Sequence, residues 1–114
     1  GDVHHIYPRN YLKQHGLRQG EYNQIANYVM MQSEINIAVG NKAPSLYFAE
    51  LEEQCRKGET NYGSINTPET LKQNLQMNCI PDSMPSLDID DYALFLEKRR
   101  TLMADKIRRY YEGL

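Results

Sequence analysis

The fold of this 114-residue chain is decided near its start, by the stretch Val3-His4-His5-Ile6-Tyr7-Pro8. This stretch predicts a short strand over Val3–Tyr7, which Pro8 ends because proline cannot donate to a β-ladder. The apolar run Tyr28–Met31 predicts a second short strand, able to pair with the first. Neighbouring residues of a strand point to opposite faces, so His4 and His5 can have different roles.

A short helix is predicted directly after the second strand. Ser33 offers an N-cap, and Glu34 places a negative charge in the first helical turn, where the helix dipole favours it. The helix is expected to run from Glu34 to about Val39 and to end at Gly40. The order strand, strand, helix would bring Asn36 close to the two histidines.

The rest of the chain is predicted to be helical, which makes the fold class α+β and mostly helical. Pro44 suits a first helical position, ahead of a helix over Ser45–Arg56. Thr67-Pro68-Glu69 is a strong helix start. A final helix of roughly 23 residues, about 35 Å long, is expected to be capped by Asp88 or Asp90. Its apolar stripe is assigned to the core: Tyr92, Phe95, Leu96, Leu102, Met103, Ile107 and Tyr110.

Composition agrees with one small globular domain. Charged residues make up 25% and apolar residues 40% of the chain, as in ordinary globular proteins. No apolar run approaches the roughly 20 residues that a membrane helix needs, and the start lacks a signal peptide's basic and apolar regions. Cys55 and Cys79 have no CxxC partner, so two reduced thiols are expected. These features predict a cytoplasmic protein that has no contact with a membrane.

Four residues, His4, His5, Asn27 and Asn36, together resemble the HNH, or ββα-metal, nuclease motif. The nine-residue step from Asn27 to Asn36 is the most specific part of the match. In that family a residue on the first strand binds the metal, and the adjacent His is the general base. A middle Asn fixes that His, and an Asn or His on the following helix completes the metal site. The resemblance therefore implies His4 and Asn36 as metal ligands, and His5 and Asn27 as catalytic residues.

A narrower resemblance covers nearly the whole chain. Its motifs, His4-His5-Ile-Tyr-Pro-Arg, Asn23-Gln-Ile-Ala-Asn27, Asn41-Lys-Ala-Pro-Ser and Phe95-Leu-x-x-Arg-Arg, are similar to the C-terminal nuclease domain of GmrSD-type, modification-dependent restriction enzymes of bacteria. This implies one HNH-type domain over residues 1–114, with a ββα core at about 3–43 and a helical extension over 44–114. An inserted loop or helix is expected over residues 10–22. The family's N-terminal nucleotide-hydrolysing domain is a further expected partner, because we expect the chain to be a fragment.

The chemistry implied by this resemblance is hydrolysis of a DNA phosphodiester bond. A neutral imidazole at His5 would take a proton from water, its ring held by the side-chain oxygen of Asn27 or by a backbone carbonyl. A divalent ion on His4 and Asn36 would bind a phosphate oxygen and the leaving oxygen. Asn is a neutral oxygen ligand, so Mg²⁺ or Mn²⁺ is expected rather than Zn²⁺. Gly40, one turn after Asn36, cannot supply a third ligand.

Supporting roles are expected for four further residues. Arg9 and Lys42 are candidates for phosphate contact, with a plain surface role as the alternative for each. Asn23 is expected to cap or brace the inserted loop, and Asn41 follows Gly40 at a helix end. Both asparagines are also candidates for holding the site's side chains in place without themselves binding the metal.

Charge distribution bears on how the chain could hold DNA. The net charge is −2, whereas nucleic-acid affinity comes largely from neutralising phosphates. Acidic side chains outnumber basic ones over residues 50–91, and the reverse holds over 92–114. The basic residues of the last helix are either DNA contacts or a solvated face: Lys98, Arg99, Arg100, Lys106, Arg108 and Arg109.

The sequence thus predicts a metal-dependent endonuclease, of the kind used in bacterial restriction or phage defence. Two other function classes stay open. The domain could be a nucleic-acid-binding module that keeps the HNH shape without catalysis. It could also be a protein-interaction domain in which the motif is coincidental.

Overall fold

The computed structural model describes residues 2–31, 42–60 and 65–114. Over these ranges the chain is mostly helical, with one two-stranded antiparallel sheet, so the predicted α+β class is confirmed at that level. Strand β1 (Asp2–His5) pairs with β2 (Tyr28–Met31), and His5 lies opposite Tyr28. Both predicted strands are confirmed, except that β1 ends at His5 and not at Tyr7.

Two short helices and a 3-10 turn connect the strands. Helix α1 (Arg9–Gln14) and helix α2 (Gln19–Tyr22) occupy the expected insertion, and the 3-10 turn spans Ile25–Asn27. Gly16 follows α1 with a φ of 85°, a left-handed conformation that glycine adopts without steric cost.

The two middle helices begin as predicted. Helix α3 (Pro44–Lys57) has Pro44 in its first turn, and helix α4 (Pro68–Met77) is capped by Thr67, whose Oγ1 accepts from the backbone N of Thr70. An Oγ acceptor at this position satisfies one of the amides that a helix start leaves unpaired. Gly58, with a φ of 74°, ends α3.

Helix α5 (Tyr92–Glu112) follows a 3-10 turn at Ile89–Asp91, and Asp88 caps that turn rather than the helix itself. The predicted core stripe of α5 is correct only for its first half. Tyr92, Phe95 and Leu96 are buried, but Leu102, Ile107 and Tyr110 are 37%, 58% and 66% exposed. The expectation that the whole stripe packs in the core is therefore wrong. At 21 residues, or about 31 Å, the helix extends beyond the part of the core against which it packs.

The core is rich in tyrosines that bury their rings and donate from their hydroxyls to backbone carbonyls. The Tyr7 hydroxyl donates to Asp88 O at 2.7 Å, and the Tyr92 hydroxyl donates to Glu21 O at 2.7 Å. The Tyr47 hydroxyl donates to Ile6 O. These bonds satisfy the polar end of each ring, as burial requires, and tie the first 30 residues to α3 and α5.

Both cysteines, Cys55 and Cys79, are free and buried, so the expected reduced thiols agree with the structure. Among the described residues, none of the helices combines the length and apolarity needed to cross a membrane.

Candidate active site

The two histidines are the last residues of β1, and both are half-buried. Pairing of His4 with Val29 and of His5 with Tyr28 fixes their backbone against β2. Asn36, Asn41 and the predicted helix from Glu34 to Val39 lie outside the described residues. The convergence of His4 and Asn36 on one ion therefore stays a prediction.

Asn27 is fully buried and holds the chain where β1 ends. Its Oδ1 accepts from Tyr7 N at 2.8 Å, and its Nδ2 donates to Tyr7 O at 3.1 Å and to Tyr22 O at 3.3 Å. Its backbone O also accepts from Ile6 N at 2.9 Å. With Tyr47 bonded to Ile6 O, every backbone N–H and C=O of Ile6 and Tyr7 has a partner. The two residues after His5 are thereby held in one conformation.

The His5 ring is oriented by Asn23 and not by Asn27. His5 Nε2 lies 3.0 Å from Asn23 Oδ1, and the edge of Tyr28 meets the imidazole with ring centroids 5.0 Å apart. Tyr22 lies on another side, at 6.4 Å between centroids. The expected bond from the His5 ring to Asn27 is wrong, because the Asn27 side chain points inward to Tyr7.

Asn23, which was expected to cap or brace the loop and to support the site, lies where it can do both. Asn23 is the residue that ends α2, and it is exposed beside the imidazole. Spacing along the chain could not separate the two asparagines, since both precede β2. The signal available was the position of Asn27 directly before the apolar strand, where a buried amide must bond to backbone.

The Asn23 contact makes Nε2 the donating nitrogen of the His5 ring. An amide Oδ1 only accepts hydrogen bonds, so Nε2 is the donor here, and in the neutral tautomer with this N–H the free lone pair is on Nδ1. A neutral imidazole in this state can take one proton at Nδ1, which is what a general base requires.

Arg99 is buried against the same loop, at 4% exposure. Its Nη1 donates to Ala26 O at 3.0 Å and to Tyr28 O, and its Nη2 donates to Asn78 O at 3.0 Å. Burial lowers the pKa of its guanidinium. Both expected roles for Arg99, DNA contact and solvated face, are wrong. Its spacing from Phe95 and Leu96 already placed it on the buried side of α5.

The other basic candidates differ in their surroundings. Arg9 is exposed at the start of α1. Lys42 forms an ion pair with Glu50 at 3.1 Å, which offsets the charge it would bring to a phosphate. Arg100 is exposed and donates to Gln24 Oε1 at 3.3 Å, next to the loop that carries Asn23.

The described side chains do not form a closed metal-binding cluster. Within residues 2–31, 42–60 and 65–114, no group of three or more His, Cys, Asp or Glu side chains is placed to hold an ion. The predicted site uses His4 with Asn36 and water, a set that contains only one such side chain. His4 is half-exposed at a strand end, which suits a ligand whose ion keeps several waters.

The chain is similar to an archaeal protein. The chain is 30% identical to an uncharacterized protein of Methanocaldococcus jannaschii, over 91% of this chain and 20% of that protein. The chain thus spans about a fifth of the length of this relative. No family model matches the chain. No solved structure matches it significantly.

Proposed function

We propose that this domain is a metal-dependent endonuclease of the HNH type, which hydrolyses DNA phosphodiester bonds. The observation that carries the proposal is that His5 is held through two asparagines, one at its ring and the other at the backbone that follows it. Asn27 anchors the backbone directly after His5, and Asn23 orients the imidazole. A histidine fixed at both backbone and ring, at a half-exposed strand end, is preorganised for proton transfer.

In this proposal each residue has a separate role. His5 accepts the proton of the attacking water at Nδ1 while Asn23 stabilises the imidazolium through Nε2–H. His4, the preceding residue of β1, would hold Mg²⁺ or Mn²⁺ together with Asn36. When bound, such an ion supplies charge stabilisation at the phosphate and at the leaving oxygen.

Substrate contact is assigned to Arg9 and Arg100, with Lys42 in a lesser role. Arg100 is exposed and bonded to the loop beside His5, so it is suitably placed to meet a phosphate. Lys42 keeps its ion pair with Glu50. With a net charge of −2, this set gives weak binding that depends strongly on salt. Recognition of modified DNA would then belong to the rest of a longer protein, working in bacterial restriction or phage defence in the cytoplasm.

The test is cleavage of supercoiled plasmid with Mg²⁺ or Mn²⁺. The chain is compared with His5→Ala and with His15→Ala, a matched control in which the lost histidine is exposed at the end of α1. We expect His5→Ala to lose cleavage and His15→Ala to keep it. Retention of cleavage in His5→Ala would overturn the proposal, as would its absence in the intact chain with both metals.

A further inference from the structure

Arg99 is a buried cation without a buried anion. Its side chain is 4% exposed, and no carboxylate in the described part of the chain lies within ion-pair distance of its guanidinium. Among the residues that the structure describes, its Nε has no hydrogen-bond partner. Burying a charge in this way is costly, and an apolar residue of similar volume would pack at lower cost. The burial of the guanidinium therefore calls for an explanation other than packing.

The contacts of Arg99 indicate that reason. A planar guanidinium presents donors in a fixed fork, so it can bond several carbonyls at defined angles. Two of its three acceptors, Ala26 O and Tyr28 O, belong to the residues on either side of Asn27. The third, Asn78 O, belongs to the residue that ends α4. The guanidinium thus fixes residues 26–28, here called the Asn27 segment, to α4 and α5.

We propose that Arg99 is a positioning residue for His5: it holds the Asn27 segment, and Asn27 in turn fixes the backbone directly after His5. The path runs from the guanidinium to Ala26 O and Tyr28 O, from the Asn27 amide to Tyr7, and from Tyr7 to the end of β1. The catalytic consequence rests on the proposed function, whereas the effect on the conformation of His5 does not.

The test uses Arg99→Lys, which keeps the charge but not the fork, and Arg99→Met, which keeps most of the volume. Lys72→Met is the control for charge, since Lys72 is exposed on α4. Leu71→Ala is the control for general destabilisation, since Leu71 is buried on the same helix. NMR of ¹⁵N-histidine-labelled protein reports on the Nε2–H of His5, with His15 as the internal reference.

We expect both Arg99 variants to shift or broaden the His5 Nε2 signal and to leave the His15 signal unchanged, whereas neither control moves the His5 signal. If the chain cleaves DNA, Arg99→Lys should lower kcat at least tenfold with less than a threefold change in KM. An unchanged His5 signal in folded Arg99 variants would overturn the proposal. Unfolding of both variants would also overturn it, because Arg99 would then be purely structural. A chain that cleaves no DNA, but whose His5 signal responds to Arg99, would refute the nuclease and keep the positioning role.

Discussion

Replacement of Asn27 by alanine should be among the most damaging single changes in this domain. Asn27 is fully buried, and alanine removes all three of its side-chain hydrogen bonds. The Tyr7 N–H and C=O would then be left buried without partners. Each orphaned buried group costs about 1–3 kcal/mol, so for these two groups we expect a loss of about 2–6 kcal/mol. A domain of this size has roughly 5–15 kcal/mol in total.

The assay is equilibrium urea unfolding followed by circular dichroism, with the midpoint and slope fitted together. Asn23→Ala is the matched control, since it makes the same chemical change at an exposed asparagine. We expect that control to lower the free energy of unfolding by no more than about 1 kcal/mol, the worth of its one exposed hydrogen bond. Two results would refute the reasoning: a loss below about 1 kcal/mol for Asn27→Ala, or equal losses for the two variants.

The remaining predictions concern the base, the tyrosines and the last helix. Asn23→Ala should slow plasmid cleavage about five- to tenfold, because it removes one hydrogen bond worth about 1 kcal/mol from the His5 ring; an unchanged rate would exclude that role. Burial raises the pKa of Tyr92 to about 12, so the folded chain keeps a proton that the unfolded chain loses near pH 10. The stability that this retained Tyr92 proton contributes is complete below pH 10 and is lost as pH rises through 12. The urea midpoint of unfolding should therefore fall less steeply across this range in Tyr92→Phe than in the unchanged chain. Phe95→Ala should cost about 3–5 kcal/mol, whereas Ile107→Gln should stay within about 0.5 kcal/mol; equal costs in thermal unfolding would contradict the exposure of the second half of α5.

Local rules were sufficient for most of the secondary structure. Pro8 and the apolar runs predicted β1 and β2, and Thr67 with Pro68 predicted the start of α4, because these signals act within a few residues of where they stand. The limit of the core on α5 was not predictable in this way. An apolar stripe shows which face of a helix is suited to burial, but the length that is covered depends on what packs against it.

The candidate site was likewise predictable from local sequence only in part. The two histidines were identified from their neighbours in sequence, and their strand is confirmed. The roles of Asn23 and Asn27 depend on where the chain turns between α2 and β2, which chain spacing does not specify. The role of Arg99 depends on carbonyls 21 to 73 residues away in the chain. Contacts of that separation are set by tertiary packing.

Metal affinity and cleavage, measured on the same variants, test the central claim most directly. Calorimetric titration with Mn²⁺ should show that His4→Ala and Asn36→Ala weaken binding and cleavage together. His5→Ala should keep nearly all of the Mn²⁺ affinity and lose cleavage, because it removes a proton acceptor and not a ligand. Equal losses of Mn²⁺ affinity in His4→Ala and His5→Ala would contradict the assigned roles, and the absence of Mn²⁺ binding in the intact chain would contradict the metal site itself.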